Sequence, residues 1–154
     1  MDQAHLAKQI VLAEDNPADA LLVRHALREH DIHCDLHIVS DGESALALID
    51  RLDLDSKLPC PDLLLLDVHL PKCDGFQVLD GLRASERCGL TPVVVLASSD
   101  LTGGRHVPQK NPETRYFPKP SSLDKFMQLG AVVKDVFAKG SDGLGVDSIT
   151  LALA

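Results

Sequence analysis

The sequence predicts an α/β fold, in which a parallel sheet is covered by helices on both faces. Three observations lead to this fold class. Short apolar segments alternate along the chain with longer segments whose apolar residues recur at helical spacing. Several of the short segments are continuously apolar, which is typical of strands that are buried on both faces. The chain of 154 residues shows no internal repeat and has the length of one ordinary domain.

Five strands are predicted from runs of aliphatic residues. The second run alternates apolar and polar residues, and the fourth, with the sequence PVVVL, is the most regular. In chain order the predicted strands are residues 9–13, 34–39, 63–66, 92–96 and 115–117. Because helical segments separate the strands, we expect the strands to run parallel to one another.

Four helices are predicted from apolar stripes at helical spacing. Asn16 is the expected N-cap of the first helix and Pro17 suits its first position, whereas Ser121 or Ser122 caps the last helix. In chain order the predicted helices are residues 18–29, residues 42–51, a third helix marked by Phe76, Leu79 and Leu82, and residues 123–138. Residues 52–61 are charged and contain prolines, so they are predicted as a loop.

The stretch 100–114 stands where an α/β domain normally has a further crossover helix. Gly103 and Gly104 lower the helix propensity, and Pro108 and Pro112 interrupt a regular helix. We therefore predict a short turn of helix or an irregular loop in this stretch.

The charge balance argues against a surface that binds nucleic acid. Lys and Arg number 15 against 23 Asp and Glu, which gives a formal net charge of −8. Neutralising phosphates requires clustered basic residues, and stacking of bases requires aromatic side chains, which make up only 3% of this chain. A nucleic-acid-binding function is therefore not expected.

The cysteines and the amino-terminal region point to a reducing compartment. Cys34, Cys60, Cys73 and Cys88 form no CxxC pair and no zinc-binding spacing, so free thiols in a reducing cytoplasm are expected. Residues 1–9 are polar and lack a signal-peptide core, and no segment approaches the roughly 20 apolar residues of a membrane span.

Acidic residues follow two of the predicted strands. Glu14 and Asp15 come after the first strand and Asp67 comes after the third, and ligands of parallel sheets bind at this carboxyl-terminal edge. Three converging carboxylates repel one another unless a cation joins them, and oxygen ligands favour a hard ion such as Mg²⁺. Lys119 follows the last strand, and an ammonium group beside a metal is what a phosphoryl group requires.

Each of these residues has a simpler explanation when it is taken alone. An acidic pair before a helix usually serves capping and the helix dipole, an Asp after a strand is usually a turn residue, and a Lys-Pro pair usually lies in a loop. Four such residues at the ends of different elements on one sheet edge favour a common site.

Several residues of the chain also match the motif of a known family. They are Glu14, Asp15, Asp67 within LLLLDVHLP, Gly75, Lys119 and Pro120. As a set they resemble the receiver domain of bacterial two-component response regulators. The opening EDNPADALLVRHAL and the extended loop before the third strand are similar to stand-alone receivers paired with phytochrome-type and other sensor histidine kinases. The resemblance covers residues 8–138 and implies a flavodoxin-like, doubly wound five-stranded sheet in the order 2-1-3-4-5.

The resemblance also implies a role for each motif residue. Asp67 would be the phosphoacceptor, which attacks a phosphohistidine of a sensor kinase. Mg²⁺ would be ligated directly by Asp15 and Asp67, partly through water by Glu14, and by the backbone carbonyl of His69. Lys119 would contact a phosphoryl oxygen, and the peptide bond that follows it would be cis.

The sequence departs from the family at the end of the fourth strand, where receivers carry a Ser or Thr. Counting forward from Asp67 and backward from Lys119 both lead to Ala97. Either Ser98 bonds the phosphoryl group through its backbone or a shifted side chain, or the hydroxyl is absent and phosphorylation is weakly coupled to conformation. Tyr116 matches the switch aromatic of the family, and we expect its switch to be blunted.

Two further positions and one segment carry open alternatives. His69 and Ser99 match family positions that tune how fast water removes the phosphoryl group, although the simpler explanation, which we favour over a general-base role, is that His69 points into solvent. The irregular stretch 100–114 would alter a face that the family uses for signalling. One explanation is a divergent loop without a function. The other is that the partner contacts a different face, or that this loop folds when the partner binds.

The combined interpretation is one receiver domain over residues 1–139 with a flexible tail over residues 140–154. The protein would be a cytoplasmic, non-enzymatic signalling module that takes a phosphoryl group on Asp67 with Mg²⁺. Its partners would be a sensor histidine kinase or phosphotransfer protein and a downstream protein. It would bind neither nucleic acid nor membrane, and it could form a homodimer. The alternative is a pseudo-receiver whose switching does not depend on phosphorylation. A metal-dependent phosphotransferase is a third and less favoured alternative, because such an enzyme requires a second Asp at the position of His69.

Overall fold

Five parallel strands form the centre of the protein, and the computed structural model describes residues 7–97 and 113–139 of the chain. The strands are β1 (Lys8–Ala13), β2 (Cys34–Val39), β3 (Leu63–Asp67), β4 (Val93–Ala97) and β5 (Thr114–Pro118). Their order in the sheet is β2-β1-β3-β4-β5. The predicted parallel sheet and the strand order implied by the family resemblance are therefore confirmed.

Helices cover both faces of this sheet. They are α1 (Pro17–Glu29), α2 (Gly42–Leu54), α3 (Gly75–Arg83) and α4 (Leu123–Phe126), and the chain turns at residues 127–128 before it is helical again over 129–139. The predicted N-caps are present, since the Asn16 side chain accepts hydrogen bonds from the Ala18 and Asp19 amides and Ser122 accepts one from Lys125.

The last helix, predicted over residues 123–138, is bent, because a turn at residues 127–128 interrupts it. The bend arises where this helix crosses α1. The Met127 carbonyl accepts a hydrogen bond from the Gly130 amide and lies 3.1 Å from His30 Nε2, and the Ala131 amide donates to Gln128 instead. A polar side chain inserted into the helical hydrogen bonds is a known cause of such a bend.

Helix α2 extends to Leu54, three residues beyond its predicted end at residue 51. Leu52 is 7% exposed and belongs to the core on this face of the sheet. Burying that side chain favours another helical turn over the loop that the nearby charges and prolines suggested.

The two faces of the sheet carry separate cores. Ile10 and Leu12 of β1 pack on the face covered by α1 and the helical residues 129–139, whereas Val11 and Ala13 pack on the face covered by α2 and α3. Strands β3 and β4 are buried at every position, as expected for central strands of a doubly wound sheet.

Two of the four cysteines form a disulfide, so the expectation of four free thiols is wrong. Cys60, in the loop before β3, is bonded to Cys88, in the connection from α3 to β4, and their Cα atoms are 5.6 Å apart. The Ser85 hydroxyl, in the same connection, donates a hydrogen bond to Asp53 near the end of α2. Cys34 and Cys73 are free.

Some predictions lie outside the described residues. They concern Ser98, Ser99, the stretch 100–112 and the tail 140–154. Within residues 7–97 and 113–139, no helix combines the length and the apolar composition needed to cross a bilayer.

Candidate functional site

The carboxyl-terminal edge of the sheet gathers the residues that the sequence singled out. Glu14 follows β1, Asp67 is the last residue of β3, and Lys119 follows β5. Strands β1 and β3 are neighbours, and Ala13 pairs with Leu66, so Glu14 and Asp67 come next to each other. This is the point where the strand order reverses, which is where doubly wound folds bind their ligands.

Three carboxylates are close enough to share a metal ion. One oxygen from each of Glu14, Asp15 and Asp67 lies within 4.8 Å of the others. Glu14 and Asp67 are buried, at 2% and 4% exposure, and Asp15 is exposed. Two buried carboxylates beside each other need positive charge, and the exposed third ligand leaves a side open to water, so the donor set fits Mg²⁺.

Lys119 supplies a positive charge to this group. Its Nζ donates to Glu14 Oε1 at 3.1 Å, to Asp67 Oδ2 at 3.1 Å and to Asp19 Oδ2 at 3.0 Å. Burial by itself would lower the pKa of the Lys119 ammonium group. The hydrogen bond to Asp19 and the neighbouring carboxylates outweigh burial, so the pKa lies above its ordinary value and the lysine stays charged.

Glu14 resists ionisation in the absence of a metal. Burial, followed by the hydrogen bond and the charge of Asp67, raises the pKa of Glu14 to about 7, although Lys119 and the Asn16 amide act in the opposite direction. A metal ion at this position would favour the ionised carboxylate.

The chain directly after Asp67 is held close to the strand end. The His69 amide donates to Asp67 Oδ1 at 3.0 Å, and the Gly75 amide donates to the Val68 carbonyl at 2.9 Å. A Cβ atom on Gly75 would lie 2.4 Å from the Asp67 carbonyl oxygen, so only glycine permits this approach. His69 itself is exposed.

Lys119 is positioned by the end of β5. Its amide donates to the Ala97 carbonyl at 2.5 Å, which continues the pairing of Ala97 with Pro118. All peptide bonds within residues 7–97 and 113–139 are trans, so the expected cis bond between Lys119 and Pro120 is not found. The trans isomer is the one of lower intrinsic energy for a bond before proline.

Ala97 and Tyr116 lie on the same face of neighbouring strands. Ala97 is 1% exposed, and Tyr116 is half-buried against the same core cluster. Tyr116 pairs with Val95, two residues before Ala97, so the two side chains are diagonal neighbours across the strand pair. Burial raises the pKa of the Tyr116 hydroxyl.

Asp19 is the residue of this site that the sequence analysis missed. It is the third residue of α1, where an acidic side chain is ordinarily explained by the helix dipole. The available signal was its position one helical turn after Asp15, which places it over the same sheet edge.

Comparison with known proteins identifies a matching family. The family described as response regulator receiver domain matches residues 10–129. The response regulator Rcp1 of Synechocystis sp. is 38% identical over 98 residues, which are 64% of this chain and 67% of Rcp1.

Solved structures with the same fold include three receivers. The phosphorylated cyanobacterial phytochrome response regulator RcpA matches with a TM-score of 0.66 at 31% identity, over 84% of this chain and 93% of RcpA. The Mn²⁺-bound form of Rcp1 matches with a TM-score of 0.64 at 31% identity, over 82% of this chain and 91% of the Rcp1 chain. The receiver domain of the sensor histidine kinase PA1611 from Pseudomonas aeruginosa, with a magnesium ion in its active-site cleft, matches with a TM-score of 0.60 at 25% identity, over 80% and 96%.

Proposed function

The chain belongs to the response regulator receiver domain family, and we propose that it works as a receiver that is phosphorylated on Asp67. Receiver domains generally act as non-enzymatic signalling modules, which interact with histidine kinases and downstream partners. The observation that carries the proposal is the contact of Lys119 with Asp67 beside a group of three carboxylates.

In the proposed reaction an oxygen of the Asp67 carboxylate attacks the phosphorus atom of a phosphohistidine. The new O–P bond forms an acyl phosphate while the P–N bond breaks, and the imidazole leaves with its electron pair. Lys119 is placed to bond a phosphoryl oxygen. Mg²⁺ held by Glu14, Asp15, Asp67 and the backbone carbonyl of His69 would offset further negative charge.

The finer assignments are proposals of the same kind. The phosphoryl source is a sensor histidine kinase or a phosphotransfer protein, and the output is contact with a downstream protein in the cytoplasm, either as a monomer or as a homodimer. The net charge of −8 supports a role without direct contact to nucleic acid or membrane. Residues 1–139 form the receiver domain.

Four residues are assigned to tuning and switching. Ser98 would contact the phosphoryl group, and His69 and Ser99 would affect its hydrolysis. Tyr116 would be the switch residue, with a blunted response because Ala97 offers no hydroxyl for it to follow.

Ala97 also supports the alternative of a pseudo-receiver, whose interactions do not depend on phosphorylation. The cluster of three carboxylates and Lys119 favour the phosphorylated receiver. A module that only binds a partner does not require two buried carboxylates around an ammonium group.

Intact mass after incubation with Mg²⁺ and a small acyl-phosphate donor distinguishes the two. We expect a gain of one phosphoryl group in the wild type and none in Asp67→Asn. Glu43→Gln, which changes an exposed carboxylate of α2, is the matched control and should be labelled normally. An unlabelled wild type, under conditions that label a known receiver, would leave the pseudo-receiver as the better interpretation.

A further inference from the structure

We propose that Asp19 is a positioning residue that competes with Asp67 and Glu14 for the ammonium group of Lys119. It would thereby favour metal binding and oppose the contact of Lys119 with a phosphoryl group. This inference rests on the proposed function, because it concerns how readily Asp67 accepts and keeps a phosphoryl group.

The first support is the set of contacts around the ammonium group. Lys119 Nζ lies between three carboxylates at nearly equal distances, 3.0 Å for Asp19 and 3.1 Å for Glu14 and Asp67. The carboxylates that could share a metal are those of Glu14, Asp15 and Asp67. Among the three partners of Lys119, Asp19 alone is thus outside the metal-binding group.

The second support is that α1 holds Asp19 independently of the strand ends. Asp19 lies in the first turn of α1, where its amide donates to the Asn16 side chain at 3.4 Å. The neighbouring Ala20 and, one turn later, Val23 are buried against the sheet, which anchors this turn. The Asp19 side chain is 28% exposed and that of Lys119 is 17% exposed, so the pair is only partly screened by water.

The consequence follows from what each carboxylate does during the reaction. A divalent ion held by Glu14 and Asp67 would compete with Lys119 for their oxygens, and Asp19 would still offer a partner for the ammonium group. When a phosphoryl group forms on Asp67, its oxygens require the same ammonium group, and Asp19 competes for it. Removing the charge of Asp19 should therefore weaken Mg²⁺ binding and strengthen binding of a phosphoryl mimic.

The test uses Asp19→Asn, which removes the charge and keeps the shape. At saturating Mg²⁺ we expect its affinity for beryllofluoride to rise roughly three- to tenfold, and without beryllofluoride its affinity for Mg²⁺ to fall by a similar factor. Asp19→Glu should restore both affinities toward the wild type. Glu29→Gln removes one charge from the exposed end of the same helix and should leave both affinities unchanged.

A second comparison asks whether Asp19 acts through Lys119. In a Lys119→Gln background, Asp19→Asn should change the beryllofluoride affinity by less than about twofold. A damaged fold would lower both affinities together, and an unimportant surface residue would change neither, so either result overturns the inference. If the wild type binds Mg²⁺ and beryllofluoride while Asp19→Asn has no effect, only this inference fails. If the wild type binds no beryllofluoride, the proposed function fails, and this inference fails with it.

Discussion

The negative charge of two buried carboxylates at the site requires a positively charged partner. Glu14 and Asp67 lie side by side at the ends of adjacent strands, and Lys119 bonds to both. Uncompensated, such a pair would be strongly unfavourable, because burial in a medium of low polarity penalises each charge. The ammonium group of Lys119 therefore stabilises the pair, and the three carboxylates of Glu14, Asp15 and Asp67 form a donor set that fits a divalent cation.

The ionisation of Glu14 makes the free energy of unfolding of the metal-free protein depend on pH. Its pKa of about 7 in the folded protein exceeds the ordinary value of 4.5, so the folded state binds a proton that the unfolded state has lost. The free energy of unfolding of the metal-free protein should fall as the pH rises from about 4.5 to 7. Denaturant unfolding in the presence of a chelator measures this, and Glu14→Gln should remove most of the slope. Glu43→Gln should retain it, and an equal slope in Glu14→Gln would contradict the assignment to Glu14.

Gly75 is the residue whose lack of a side chain permits the turn after Asp67. In Gly75→Ala the new Cβ would meet backbone atoms of Asp67 and Val68, at 2.4 and 2.8 Å, which have little freedom to shift. We expect destabilisation by about 1–3 kcal/mol in chemical denaturation. Gly81→Ala, in the same helix, is the matched control, because there the Cβ meets only the end of the flexible Leu46 side chain. Equal stabilities of the two variants would rule out the steric argument.

Among the helices and strands, features that depend on neighbouring residues were predicted from the sequence, whereas features that depend on distant contacts were not. The N-caps Asn16 and Ser122 are local features and were predicted. The bend of the last helix depends on His30, nearly a hundred residues away in the sequence, which contacts the Met127 carbonyl. The stripe of apolar residues in that helix continues across the bend, so helical periodicity alone could not show it.

The disulfide joins two cysteines that the sequence analysis expected to be free thiols. Cys60 and Cys88 are 28 residues apart, and closing a loop of that length restricts the unfolded chain. Reduction, or the double change Cys60→Ser and Cys88→Ser, should lower the free energy of unfolding by about 3–4 kcal/mol. Unfolding with and without a thiol reductant measures this.

Two variants serve as controls for that experiment. Cys73→Ser changes a free thiol and should respond to reductant as the wild type does. The double serine variant should not respond at all. A wild type whose stability is unaffected by reductant would contradict a stabilising role of the disulfide.

At the scale of the whole molecule, the sheet order brings the site together. Residues 14, 67 and 119 are far apart in the chain, and they meet because β1, β3 and β5 run parallel and end at one edge. The same sheet connects the site to Tyr116 through the pairing of β4 with β5. Asp67 pairs with Leu96, and Ala97 is the next residue of β4, so Ala97 lies on one route from Asp67 to Tyr116.

Restoring a hydroxyl at the end of β4 tests this connection. In Ala97→Thr we expect a larger NMR response at Tyr116 to beryllofluoride than in the wild type, because the hydroxyl can bond the phosphoryl mimic and draw the aromatic residue with it. Adding Tyr116→Ala to Ala97→Thr should abolish the gain in residues around β5. An identical response of wild type and Ala97→Thr would show that the alanine does not limit the switch.

The sequence by itself determined the fold class, the strands and which residues gather at the candidate site. These follow from hydrophobic periodicity and from motif residues that stand directly at strand ends, which are properties of short segments. Only the tertiary structure decided that Asp19 contacts Lys119, that Cys60 bonds to Cys88 and that the last helix bends at its crossing with α1. Each of these depends on the distance between side chains from separate segments, and that distance is set by how the helices pack on the sheet.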